Sequence, residues 1–293
     1  MPIYEQTYRS YDGTLRPRFR WVTIAGQELR VLLSRRMFIF LVLLGNFHVV
    51  LRILQVFVID VLSKQPLGAF GDVFAGAQFE ETGAWIYFDF LRMQSPLVFI
   101  TLIYAGSGLI CNDFRNNLME VYFSKPLNWR DYVMGKVMTL VTIGMALSAL
   151  PALFMALLHV LFVPTLEELG STLVLVLPTI GFSLIFVLSF SLAILASSSL
   201  INSSRFASIA IFLLGFVDIT IGVLLAVLTR EQNYLALAFP VSLNHLGELM
   251  FREARYDNPI DVAWPWPTLF VLIVCGASLA IICKKVRRAE TGQ

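Results

Sequence analysis

The chain has 293 residues, of which 57% are hydrophobic and only 14% charged. Soluble domains carry about 25% charged residues, so this composition excludes an ordinary soluble domain and predicts an all-α integral membrane protein. The net charge of +2 gives no sign of a nucleic-acid partner, and three scattered cysteines (Cys111, Cys275 and Cys283) provide neither a disulfide framework nor a zinc site.

Residues 1–36 form a polar, basic segment, with seven arginines against Glu5, Asp12 and Glu28. Within it, Trp21, Ile24, Ala25, Leu29 and Leu32 recur at helical spacing, while Arg20, Thr23, Gln27, Arg30 and Ser34 fall opposite. Such a helix suits the headgroup plane, with Trp21 as anchor and Ile24, Leu29 and Leu32 in the acyl boundary. The same spacing also suits a soluble helix packed on another chain. No cleavable signal peptide is legible, because the first long apolar run starts only near Met37.

A six-span transmembrane domain is expected over residues 37–283, with spans near 37–62, 95–111, 134–163, 171–201, 206–228 and 267–283. The second and last are short for the roughly 20 residues that a bilayer needs. Pro151 and Pro178 fall inside spans and are expected to bend them. Two charges stand deep in apolar runs, Arg52 in the first span and Asp218 in the fifth. Each needs a partner or a wet cavity. Either they meet each other, or Arg52 snorkels toward Asp60 while Asp218 faces water.

Orientation follows from lysine and arginine. With the amino terminus inside, sixteen of them lie on inner segments and five on outer ones, so both termini are expected on the cytoplasmic side. The outer segment 63–94 carries Asp72, Glu80, Glu81 and Asp89 among Trp85, Tyr87 and Phe88, with room for a short interfacial helix. The longer outer segment 229–266 holds an amphipathic stretch from Val241 to Phe251, then Trp264-Pro265-Trp266-Pro267 as an aromatic belt. Residues 284–293 make a basic tail.

The inner loop 112–133 is the most structured polar stretch. Asn117 and Glu120 have capping-box spacing, and Asn128 and Asp131 repeat it. Lys125-Pro126 separates the two, since proline ends the helix behind it. A short helix over 118–123 is predicted, presenting Leu118, Met119, Val121, Tyr122 and Phe123, and a second helix starts near Trp129 and enters the third span. A capped, partly apolar helix on the wet face suits docking to another protein, or else packing on its own spans.

Catalytic signatures are wanting. Gly135-Lys136 ends like a phosphate loop, but Arg130 and Val137 stand where glycine and a hydroxyl residue belong. Ser107 lies in Ala105-Gly106-Ser107-Gly108 without a histidine at matching depth, and no residues have metal-site spacing. The run from Ser197 to Ser204 suits helix packing and capping.

Read together, Asp113-Phe114-Arg115, Leu118-Met119-Glu120, Ser124-Lys125-Pro126-Leu127 and Tyr132-Val133-Met134-Gly135-Lys136 resemble the inner loop between the second and third spans of ABC-2 type transporter permeases. The likeness extends to the basic amino-terminal helix, six spans, both ends inside and a long last outer loop. Arg115-Asn116-Asn117 departs from the basic residue and glycine of many members, which points to a different local turn. The resemblance implies a non-catalytic permease subunit of an exporter in the inner membrane of a bacterial-type cell. Asp113, Arg115, Asn117, Leu118, Glu120, Val121, Tyr122, Ser124, Lys125 and Pro126 would then dock a separate ATPase subunit, which holds the ATP and Mg. It also implies a dimer with a second copy or a similar permease, in contact with membrane lipid; the apolar spans themselves suit a lipid, a peptide or another hydrophobic compound as substrate. Two other readings stand beside it. One is an ATP-driven mechanotransmitter or anchor acting on an outside protein; the other, an ion-driven secondary transporter, lacks an inverted repeat.

Overall fold

The computed structural model describes residues 19–58, 83–124, 127–162, 166–251 and 265–291. Among them the elements are all helical: α1 (Arg20–Leu33), α2 (Arg36–Phe57), α3 (Ala84–Gly106), α4 (Cys111–Arg115), α5 (Leu118–Phe123), α6 (Trp129–Leu147), α7 (Ala149–Phe162), α8 (Leu166–Leu200), α9 (Ser204–Thr229), a 3-10 helix (Gln232–Leu237), α10 (Phe239–Phe251) and α11 (Pro265–Thr291). Among the described residues six helical stretches are long and apolar enough to cross a membrane: α2, α3 with α4, α6 with α7, α8, α9 and α11. The chain is a multi-pass membrane protein. Asp60, Lys125, Pro126 and Trp264 lie outside the described residues.

The third span is two helices because of one proline. Pro151 has no N–H to offer and crowds the carbonyl four residues before it, that of Leu147. The helix breaks at Ser148, whose φ of −118° and ψ of −71° separate α6 from α7. The Ser148 hydroxyl donates to the Gly144 carbonyl at 2.7 Å, and the released Leu147 carbonyl accepts from Gln94 Nε2 at 3.0 Å. Pro178, by contrast, stays inside the unbroken α8. Pro96 does the same in α3, where the Ser95 hydroxyl donates to the Arg92 carbonyl that the proline cannot reach.

The second span is much longer than its hydropathy predicts. It starts at Ala84, so the last residues of the expected outer segment 63–94 are helix, and Tyr87, Phe88, Phe90 and Leu91 are core residues. Asp89, Arg92 and Gln94 interrupt the apolar run, but inside the bundle Asp89 and Gln94 meet partners on α2. The last span also exceeds its expected 267–283. Lysine and arginine favour helix and complement its carboxyl end, so within the expected basic tail Lys284 to Arg288 continue α11 to Thr291.

Helices α3, α6 and α8 form the centre of the bundle, and α11 packs along α8. Phe88, Phe182, Phe186, Phe190, Phe239 and Phe251 fill the space between α3, α8 and α10 with edge-on and tilted ring contacts. A Cβ at Gly247 would collide with the rings of Phe88 and Phe182, so glycine sets that close approach. The 3-10 helix and α10 fold back along α9, where Ala238 lies against Gly222. Helices α2 and α9 leave broad apolar faces uncovered, such as Phe40, Phe47, Phe212 and Phe216.

Candidate docking site

One end of the bundle, here the basic end, gathers α1, α4, α5, the start of α6 and the close of α11. The second span turns there. After Gly106 the chain makes a tight turn over residues 107–110, and the Ser198 hydroxyl of α8 clips it. That oxygen accepts from the backbone N–H of Ile110 and Cys111 at 3.2 and 3.1 Å and donates to the Ser107 carbonyl at 2.8 Å. Helix α4 then runs one turn to Arg115.

The step from α4 to α5 is made by Asn117. Its φ of 53° lies in the left-handed region that glycine favours and asparagine tolerates. Its N–H bonds back to the Phe114 carbonyl at 3.2 Å, so it closes α4 rather than capping α5. The capping box expected of Asn117 and Glu120 is therefore not formed: a residue in that conformation cannot also hold the extended backbone of an N-cap. The second expected box is present. Asn128 is extended, α6 starts at Trp129, and the Asp131 carboxylate accepts from the Asn128 N–H at 3.5 Å.

Helix α5 spans Leu118–Phe123, the predicted range, and divides the expected site residues in two. Arg115, Asn117, Leu118, Glu120, Val121 and Ser124 are exposed, Val121 by 54%. Met119 is buried, and Tyr122 stacks edge-on against Tyr132 at 5.3 Å. Burial pushes the Tyr122 phenol above its usual value, while Lys136 pulls it the other way. Asp113 is turned fully inward.

Asp113 belongs to an ion-pair cluster that sequence reasoning missed. Lys136 is 1% exposed, and its Nζ lies 2.5 Å from Glu28 Oε1 of α1 and 2.7 Å from Asp113 Oδ2 of α4. The Tyr132 hydroxyl donates to the same Asp113 oxygen at 2.8 Å, and the Tyr122 and Tyr132 rings flank the ammonium. One cation thus joins the amino-terminal helix, the loop and the third span. A buried ion needs such pairing to stay charged. The available signal was Glu28 itself, a carboxylate one helical turn after Ile24 on the apolar face of α1.

That apolar face is covered by this chain. Ile24, Ala25 and Leu32 are buried, and α1 packs along α6. The approach is close because residue 135 is glycine: a Cβ there would stand 2.8 Å from Ile24 Cβ and 3.1 Å from the Trp21 carbonyl. Trp21 and Leu29 remain half-buried.

At the opposite end the two intramembrane charges do not meet each other within the chain. Arg52 pairs with Asp89 of α3 at 2.5 Å and donates to Gln55 at 2.8 Å. Asp218 accepts the backbone N–H of Phe239, so it caps the start of α10. Of the two readings of these charges, the Arg52–Asp218 pair does not form within the chain, because Asp89, assigned to an outer loop by hydropathy, is helix beside Arg52. A polar chain continues inward. Gln94 donates to the carbonyls of Gly45 and Leu147, which leaves its oxygen to accept from His48 Nδ1 at 2.7 Å. With the Gln94 oxygen facing Nδ1, the geometry places a proton on that nitrogen and leaves Nε2 to accept from Arg52 Nε at 3.4 Å.

No protein-family profile matches this chain, and neither does any curated protein sequence.

Proposed function

We propose that this chain is the permease subunit of an ABC-2 type ATP-binding-cassette exporter, with α5 as the helix that docks a separate ATPase. The observation that carries the reading is the division of α5 into two faces. Leu118, Glu120 and Val121 are exposed while Met119 is buried, Tyr122 packs on Tyr132 of the third span, and the neighbouring Asp113 is held by Lys136, which also pairs with Glu28 of α1. An exposed valine and leucine beside an acid, on a short helix at the polar end of the bundle, suit contact with another protein. The resemblance of its sequence to the inner loop of such permeases supports the same reading.

On this reading the basic end is cytoplasmic, α1 lies at the inner headgroup layer, and the membrane is a bacterial-type inner membrane. ATP and Mg belong to the partner subunit, and this chain performs no chemistry. Force on α5 would pass through Tyr122, Tyr132 and the Asp113–Lys136–Glu28 cluster into α6 and α1 together. A second copy or a similar permease would complete the pathway and cover part of α2 and α9. The cargo would be a lipid, a peptide or another hydrophobic compound.

The test is co-purification with a phosphate-loop ATPase encoded beside this chain, together with ATP turnover of the pair. Glu120→Arg is expected to weaken the complex on the order of a hundredfold, as charge reversal at a desolvated contact does. Unchanged co-purification and turnover would remove Glu120 from the docking surface.

A further inference from the structure

Helix α11 does not stop at the end of its apolar run, and its last turns build a concave basic surface. Lys284, Arg287 and Arg288 fall at i, i+3 and i+4, so they share one face of the helix. With Cys283, Thr291 and Trp129 from the first turn of α6, they line a cavity of about 520 Å³. The neighbouring charges are already engaged. Lys285 lies over the Phe114 ring at 5.3 Å, while Glu290 is held at the cavity's edge, its carboxylate accepting the Trp129 backbone N–H at 3.2 Å. Among the described residues no carboxylate stands within ion-pair distance of Lys284, Arg287 or Arg288. Arg130 stacks on the Trp129 ring at 5.4 Å, which adds a fourth cation beside the cavity wall.

Three unpaired cations around one concavity concentrate positive potential and call for an anion with several acceptor oxygens. The other walls are apolar or amphipathic: the Trp129 indole and the Cys283 side chain. The cavity opens where two membrane-crossing helices, α6 and α11, reach their polar ends. An indole at that level marks the headgroup layer. We propose that this cavity binds the phosphate of an anionic phospholipid, with Arg287, Arg288 and Lys284 on the headgroup and Trp129 and Cys283 against its glycerol and first methylenes. Basic pockets between membrane helices have the chemistry for such headgroups. The assignment does not depend on the transporter reading. A lipid seated here would brace α6, which leads out of the docking loop, against α11.

The ordinary distribution of basic residues at helix ends predicts something different. It attracts anionic lipid by charge count alone, so Lys285 would matter as much as Arg287. The experiment uses the full chain, purified in detergent and stripped of lipid, with bound phosphatidylglycerol and phosphatidylcholine counted by native mass spectrometry. Phosphatidylglycerol is expected to be retained in preference to phosphatidylcholine. Arg287→Gln with Arg288→Gln is expected to weaken that retention about 30-fold, while Lys285→Gln changes it less than about threefold. Equal retention of the two lipids by the unaltered chain overturns the proposal, and that comparison needs no variant. So does a loss in Lys285→Gln of about threefold or more, because diffuse attraction weighs every cation alike and would reduce the site to charge count. Inorganic phosphate is expected not to displace the lipid; displacement at concentrations matching the lipid's would assign the cavity to free phosphate and overturn the lipid assignment.

Discussion

Gln94 on the second span donates its amide to the carbonyl of Leu147, the oxygen that Pro151 releases from the third span's helix. A polar residue that hydropathy counts against a span is thus what repairs the break in its neighbour. The same amide fixes the tautomer of His48, and through it the Arg52 side chain.

The repair makes a coupled prediction. Gln94→Leu removes three hydrogen bonds in a part of the bundle where water cannot replace them. At roughly 0.6 kcal/mol each for interhelical bonds in membranes, the expected loss is about 2 kcal/mol. Pro151→Ala restores the N–H that Leu147 lacks, so Gln94→Leu should cost less in that background. Thermal unfolding of the four proteins in detergent measures the coupling. A zero coupling energy would show that Gln94 does not serve the break.

The Lys136 cluster predicts an asymmetry between breaking and erasing. Lys136→Met leaves Glu28 and Asp113 facing each other in a buried site, and removal of one partner of a buried pair costs about 3–5 kcal/mol. Adding Glu28→Gln and Asp113→Asn removes the stranded charges and should recover most of that loss. Hydrogen exchange over α1 reports it directly: α1 is expected to lose protection in Lys136→Met and regain it in the triple variant. If α1 stays protected in Lys136→Met, the ion pair does not hold it.

Much of this was legible in the sequence, and the failures have physical causes. The six spans followed from apolar run length, and the bounds of α5 followed from Asn117 before it and the Lys125-Pro126 sequence after it. The cap of α6 at Asn128 followed from its side chain and the acid three residues later. The start of the second span was hidden because hydropathy scores Asp89, Arg92 and Gln94 as though each stood alone. Asp89 and Gln94 instead face Arg52 and His48, and a residue-by-residue scale contains no partners. Asn117 misled for another reason: asparagine serves both as an N-cap and in the left-handed turn, and only the path of the chain decides between them. The apolar face of α1 was visible as a face, but sequence spacing does not say what covers it.

Close packing at Gly135 gives a size-dependent prediction. Gly135→Ala sets a methyl against the β-branched Ile24 and the Trp21 carbonyl, neither of which yields easily. Overpacking of this kind typically costs about 1–3 kcal/mol. Ile24→Ala in the same chain vacates part of the space and should recover some stability although it is destabilising alone. Melting temperature in detergent decides the matter: no rescue by Ile24→Ala would mean that α1 shifts freely on α6.

The last prediction separates two candidate partners of Arg52. It pairs with Asp89, and Asp218 instead caps the N–H of Phe239. Arg52→Ala leaves Asp89 only the more distant Arg92, at 4.0 Å, and Asp89→Ala leaves Arg52 without a counter-charge, so each should destabilise the protein. The double variant strands neither and should lose clearly less than the sum of the two. Arg52→Ala with Asp218→Ala should be additive within about 0.5 kcal/mol, because the two residues share no contact. Asp218→Ala by itself removes a helix cap, worth about 1 kcal/mol, while Asp218→Asn keeps an acceptor oxygen and should cost less. Unfolding free energies of these variants in detergent close both cycles. Additivity for Arg52 with Asp89, or strong coupling for Arg52 with Asp218, would reverse the assignment and place the fifth span against the first, within the chain or across a dimer.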